Sequence, residues 1–214
     1  MDEDTTIINT NTKIEKIKNF LINNKKILIS FVTILTIFII SFFIYGEYKS
    51  SKTKKISKDF NSITMAYSSE TQKITVERLI EIINKKDSTY SPLSLYFIID
   101  NKLISDQVKM NDLFDILIDK TSLENEIKNL IVYKKALYFA DSSDEITLLE
   151  ILKPLINNES IWSSHAHYLL AEYFYFRSEK QKAREFFEKI LNLKNANQDI
   201  IKESQKRLNR DFSD

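Results

Sequence analysis

The sequence predicts an all-α protein in which a single N-terminal transmembrane helix is followed by an α-solenoid, a domain of stacked helical repeats. Three observations point there. An uncharged run, ILISFVTILTIFIISFFIY, covers Ile27 to Tyr45. The 214 residues include one Gly and two Pro, whereas hairpin-rich sheet proteins depend on residues that tolerate positive φ or fix it. Beyond the uncharged run, apolar residues recur three and four positions apart, the period of a helix with one buried face. The expected organisation is a short basic tail over 1–26, a transmembrane helix over 27–46 and a helical domain over 47–214.

At roughly 1.5 Å per residue the uncharged run reaches about 28 Å as a helix, close to the hydrocarbon thickness of a bilayer. Its Ile, Leu, Phe and Val side chains together favour insertion by about 5 kcal/mol. Tyr45 and Tyr48 stand where interfacial aromatics lie, and Lys25, Lys26, Lys49 and Lys52 bracket the run with groups that prefer headgroups or water. A cleaved signal peptide has a shorter apolar core and a small-residue cleavage site, whereas this run continues into YGEYKSSK. A core helix of a soluble domain would carry a polar face. Lys13, Lys16, Lys18, Lys25 and Lys26 before the run face Lys49, Lys52, Lys54, Lys55 and Lys58 after it, so the charge bias that orients single spans leaves orientation open.

After the run, Ile56, Phe60, Ile63 and Tyr67 form one stripe, and Val76, Leu79, Ile80 and Ile83 the next. Ser91 with Pro92 marks a helix start, because Pro fits the first turn, where its missing donor is not needed. Leu95, Tyr96, Ile99 and Leu103 follow. The run LSLYFII, interrupted by Asp100 and Lys102, is too short to span a bilayer and reads as core. Further stripes lie at Ile127, Leu130, Ile131 and Lys134 to Leu137, and at Leu148, Leu149, Leu152 and Leu155. No Gly/Ser linker divides the array.

The segment SHAHYLLAEYFYFRSEKQKAREFFEKILNL, Ser164 to Leu193, has the spacing of a tetratricopeptide helix pair. Leu170, Ala171 and Phe174 take the first-helix positions and Ala183, Phe187 and Ile190 those of the second, with Arg177 to Lys180 as the polar turn. Small Ala171 and Ala183 let the helices approach, while Phe174 and Phe187 fill the space beside them. The same frame about 35 residues upstream selects Ala136, Phe139, Leu148, Leu152 and Leu155, near the expected period of about 34. A further unit over Pro92 to Lys120 puts Asp100 and Asn101 where the pattern wants apolar or small residues. Ile200, Ile201 and Leu208 in a polar background read as a capping helix.

A short tail, one span and a tetratricopeptide-like domain together resemble the YfgM-type ancillary subunits of the SecYEG translocon, with Trp162 and the helix pair through Leu191 as the most recognisable stretch. The resemblance implies an inner-membrane protein with a periplasmic domain that works beside translocon subunits and periplasmic chaperones.

The residues argue against several other functions. With 31 basic and 30 acidic residues the chain has no basic excess for nucleic acid. Absence of Cys excludes disulfides, thiolate nucleophiles and cysteine metal sites. His165 and His167, the only histidines, point about 200° apart on a helix and so cannot chelate one ion together. One Gly cannot build a phosphate cradle or a nucleophile elbow. No catalytic, cofactor or metal residue is therefore assigned, and Asp141, Asp144 and Glu145 read as helix caps.

The expectation is a non-enzymatic scaffold. Trp162 would close one unit against the next. First helices would line a groove with His165, Tyr168, Glu172 and Tyr175 from one unit and Leu130, Tyr133 and Leu137 from the unit before. Such tyrosines offer contact area at little entropic cost, although a neighbouring helix could equally cover them as core. The alternative is a structural subunit of another envelope assembly, for outer-membrane assembly or division, that acts through its span.

Overall fold

In a computed structural model of the chain, residues 15, 16 and 18 to 212 are described. Lys13 and most of the basic tail lie outside them. The described residues form helices and no strand. Helix α1 runs Lys25–Met65 over 41 residues. Contacts divide the chain into two compact units between Lys55 and Ile56.

The first unit contains the apolar part of α1. Its side chains from Ile27 to Tyr45 are almost all exposed, and the helix is long and apolar enough to cross a membrane. Two of its hydroxyls find partners within the helix: Thr33 Oγ1 donates to the Ile29 carbonyl and Thr36 Oγ1 to that of Val32, both at 2.8 Å. In hydrocarbon, where no water is present, such internal pairing is what a polar atom requires.

The second unit begins with the last turns of α1, where Ile56 and Ile63 are buried. A single 3-10 turn, Ser69–Thr71, leads to α2 (Gln72–Asn84), α3 (Tyr90–Asp100) and α4 (Gln107–Lys120). Then come α5 (Asn125–Phe139), α6 (Glu145–Ile156), α7 (Ser163–Phe176), α8 (Lys180–Leu191) and α9 (Gln198–Asp211). Each of α2 to α8 packs on the next, and α2 also meets α4, α5 meets α7, and α7 meets α9.

Side-chain caps fix several starts. Asp87 Oδ1 accepts from the Thr89 and Tyr90 amides, Asp106 from Val108 and Lys109, Asp144 from Thr147, and Asn197 from Asp199 and Ile200. Each satisfies amides that the first turn leaves without a helical partner. Pro92 stands in the first turn of α3. With glycine scarce, other residues take left-handed turns: φ is 54° at Lys86, 51° at Lys102 and 64° at Ser178. After α3, the Leu103 amide donates to the Ile98 carbonyl and Lys102 to Ile99; after α7, Glu179 donates to Phe174 and Ser178 to Tyr175. These are two copies of one Schellman turn.

The starts of the helices are nearly periodic. Gln72 to Tyr90, Gln107 to Asn125, Glu145 to Ser163 and Lys180 to Gln198 are each 18 residues apart. The intervening steps are 17 from Tyr90 to Gln107, 20 from Asn125 to Glu145 and 17 from Ser163 to Lys180. The extra three residues in the middle step displace the pattern upstream of α5. Thus α4 and α6 start 38 residues apart, and Met110, Phe114 and Leu117 match Leu148, Leu152 and Leu155, just as Ala183, Phe187 and Ile190 do in α8. All nine are fully buried. A sequence frame of about 35 residues instead sets Asn101 against Ala136. Asn101 caps the end of α3 and is exposed.

Two apolar clusters form the core, and α5 serves both. Ile131 and Phe139 belong to the cluster that joins the end of α1 to α4, while Val132 and Ala136 belong to the cluster with α6 to α9. Leu95 and Ile98 of the LSLYFII run are buried in the first.

Candidate protein-interaction face

Helix α7 carries apolar residues on more than one side. Leu170, Ala171 and Phe174 are buried in the second cluster, where Phe174 stacks on Phe186 at 5.5 Å between centroids. A second stripe, Leu169, Tyr173 and Phe176, runs beside the first at helical spacing; Tyr173 is buried in the same cluster and Leu169 packs against it. It faces a hollow of about 620 Å3 that Ala140 and Asp141 border from the end of α5, with Glu172 and Arg177 completing the rim. Phe176 is 89% exposed. The hollow is held open by polar ties: Tyr173 Oη donates to the Ser143 carbonyl at 3.1 Å, and Arg177 Nη2 donates to the same oxygen at 2.9 Å. The Arg177 guanidinium also lies 4.1 Å over the Tyr173 ring. Below, Lys182 of α8 bridges Glu145 of α6 and Glu179 of the turn, and these hydrogen bonds hold its ammonium pKa above the usual value.

The seven residues expected to line one groove fall into three environments. Tyr133 stacks on Trp162 at 5.8 Å and meets His165 edge-on at 5.7 Å. Trp162 thereby joins α5 to the start of α7. Ser160 ties the same junction, donating to Glu126 Oε2 at 2.8 Å and accepting from Asn129 and the Trp162 amide. Tyr168, Glu172 and Tyr175 turn toward α8 and α9 instead. Tyr168 packs edge-on against Phe187, and Tyr175 packs against Phe212 under the Arg207 guanidinium, 4.2 Å above its ring. Leu137 stands 52% exposed on α5, and Leu130 on the same helix is half-buried. Of the seven, Glu172 alone borders the hollow.

Burial sets the ionisation of this region. It pushes the Tyr168 hydroxyl up to about 12, helped by the Glu172 carboxylate, and raises Tyr133. It lowers both histidines. At His165 the Ile161 carbonyl partly offsets the effect; at His167 the Ser163 carbonyl does so, accepting from Nδ1 at 2.9 Å. No group of three or more metal-binding side chains occurs among the described residues.

Leu169, Tyr173 and Phe176, which face the hollow, are not among the expected groove residues. The signal was present: YLLAEYFYF is apolar around most of its circumference, which requires a second covered or binding face. No protein-family model, curated protein or solved structure matches the chain.

Proposed function

We propose that the chain is a membrane-tethered, non-enzymatic scaffold that docks protein partners at the hollow between the end of α5 and α7. The observation that carries this reading is Phe176, an almost fully exposed aromatic beside Leu169 on a helix whose other side is core. A soluble surface rarely leaves such a side chain uncovered next to a concavity unless something binds there. Helix α1 supplies the tether. Its span raises the local concentration of the domain at the membrane, so modest docking contacts suffice for capture.

The near-periodic helix starts and the thrice-repeated buried triplet support a tetratricopeptide-like solenoid with α9 as its cap. On the YfgM-type resemblance, the membrane is the bacterial inner membrane, the domain is periplasmic, and the partners are translocon subunits and periplasmic chaperones.

The test uses the full chain in its native membrane with a photo-crosslinker in place of Phe176 and, in a second version, of exposed Glu150 on α6. Discrete protein adducts are expected at 176 and not at 150, and they persist when residues 27–46 are replaced by an unrelated span. Adducts lost on that replacement would favour a structural subunit acting through its span. Equal labelling at both positions would contradict docking at the hollow.

A further inference from the structure

Just past the apolar part of α1, lysines stand at 49, 52, 54 and 55 against a single acid, Glu47. All four are exposed, and none forms an ion pair among the described residues. At 100° per residue they project at about 0°, 300°, 140° and 240° around the helix, so they make a collar and not a stripe. Exposed Tyr45 and Tyr48 mark the level below. With about 1.5 Å of rise per residue, Lys49 stands about 1.5 Å and Lys55 about 10 Å beyond Tyr48. That is close to the screening length of about 8 Å at physiological salt. The opposite end is sparser: Lys25 and Lys26 adjoin the run, but Asn23 and Asn24 and then exposed Phe20, Leu21 and Ile22 precede them.

We propose that this lysine collar binds the headgroups of anionic phospholipids in the leaflet from which the helical domain emerges. The proposal rests on α1 crossing the bilayer. Charge complementarity selects the partner: a helix ringed by ammonium groups, with no acid or aromatic among them, suits phosphates that surround it on every side. A protein surface would approach from one side only. Each lysine near such a surface gains from the negative potential there, and the gain is screened by salt.

The full chain is reconstituted in phosphatidylcholine vesicles with a trace of spin-labelled phosphatidylglycerol or phosphatidylcholine. Electron paramagnetic resonance then measures the motionally restricted fraction of each lipid. Restricted phosphatidylglycerol is expected to exceed phosphatidylcholine by about fivefold in association constant. That ratio should fall toward one in K49Q/K52Q/K54Q/K55Q and in about 1 M salt. A ratio near one in the unaltered chain would overturn the proposal. So would a ratio that survives the fourfold change and disappears in K25Q/K26Q, which would move the contact to the other leaflet. No restricted component for either lipid would overturn the span itself, and the collar with it.

Discussion

Arg207 of α9 and Glu172 of α7 form a two-pronged ion pair across 35 residues of chain, with Nε to Oε1 at 2.8 Å and Nη2 to Oε2 at 2.9 Å. Arg207 is 9% exposed; it also bonds Asp211 and lies over the Tyr175 ring. Helix α9 is therefore fastened to α7 by a planar fork that a lysine cannot reproduce. Removing the arginine leaves Glu172 without its partner while stripping cover from Tyr175 and Phe187. Arg207→Ala should cost about 2 kcal/mol, moderated because Glu172 is partly solvated. Arg207→Lys should recover less than half of that. Urea unfolding of the detergent-solubilised chain measures both, and an Arg207→Ala loss below the error of the method would show that α9 is held by its apolar residues alone.

The repeated buried triplet predicts equal sensitivity at positions 38 residues apart on α4 and α6 and 35 apart on α6 and α8. Phe114→Ala and Phe187→Ala each remove a fully buried ring and should cost about 3–5 kcal/mol. Leu152→Ala, at the matching position of α6, should cost about 2–5 kcal/mol. A much smaller cost at Phe114 would mean that the α4 register is wrong.

Phe176→Ala should leave stability within about 0.5 kcal/mol of the unaltered chain, because an exposed side chain has little burial to lose. It should nevertheless reduce partner capture in pull-downs from detergent-solubilised membranes. Loss of capture together with a large drop in melting temperature would assign Phe176 to the core.

The left-handed turns are occupied by residues that carry a Cβ. Lys102→Gly and Ser178→Gly relieve a conformation that costs a non-glycine residue about 1–2 kcal/mol, offset in part by greater freedom of the unfolded chain. A gain of about 0.5–1 kcal/mol is expected at each. A loss at both would show that those side chains contribute more than the turn strains.

Buried His167 and half-buried His165 give a pH dependence. His165 and His167 have folded-state pKa values below the ordinary 6.5, so the unfolded chain binds the protons more readily. Their contribution to stability is fully present above about 6.5 and is lost as pH falls through the lowered folded values. Melting temperature should drop between pH 7.5 and 5.5, and His165→Asn with His167→Asn should flatten that slope. An unchanged slope would assign it to other groups.

Much of the helix pattern was legible because Ala171, Phe174, Ala183, Phe187 and Ile190 sit at the three- and four-residue spacings of a helix with one buried face, and each is buried. The register upstream was not, since three residues added between the starts of α5 and α6 leave no Gly or Pro to mark them. Periodicity also shows which side of a helix is apolar without showing what covers it. Tyr168, Glu172 and Tyr175 share a face by spacing, yet that face meets α8 and α9 through Phe187, Arg207 and Phe212. The pairing of Trp162 with Tyr133 crosses 29 positions, a long-range relationship that no local pattern encodes.

Alkaline carbonate extraction of membranes from cells making the full chain tests the tether most directly. A bilayer-spanning α1 keeps the intact polypeptide in the membrane pellet at high pH, with release only by detergent. Release of full-length chain by carbonate alone would contradict it, because peripheral contacts break under that treatment while a bilayer-spanning apolar helix does not.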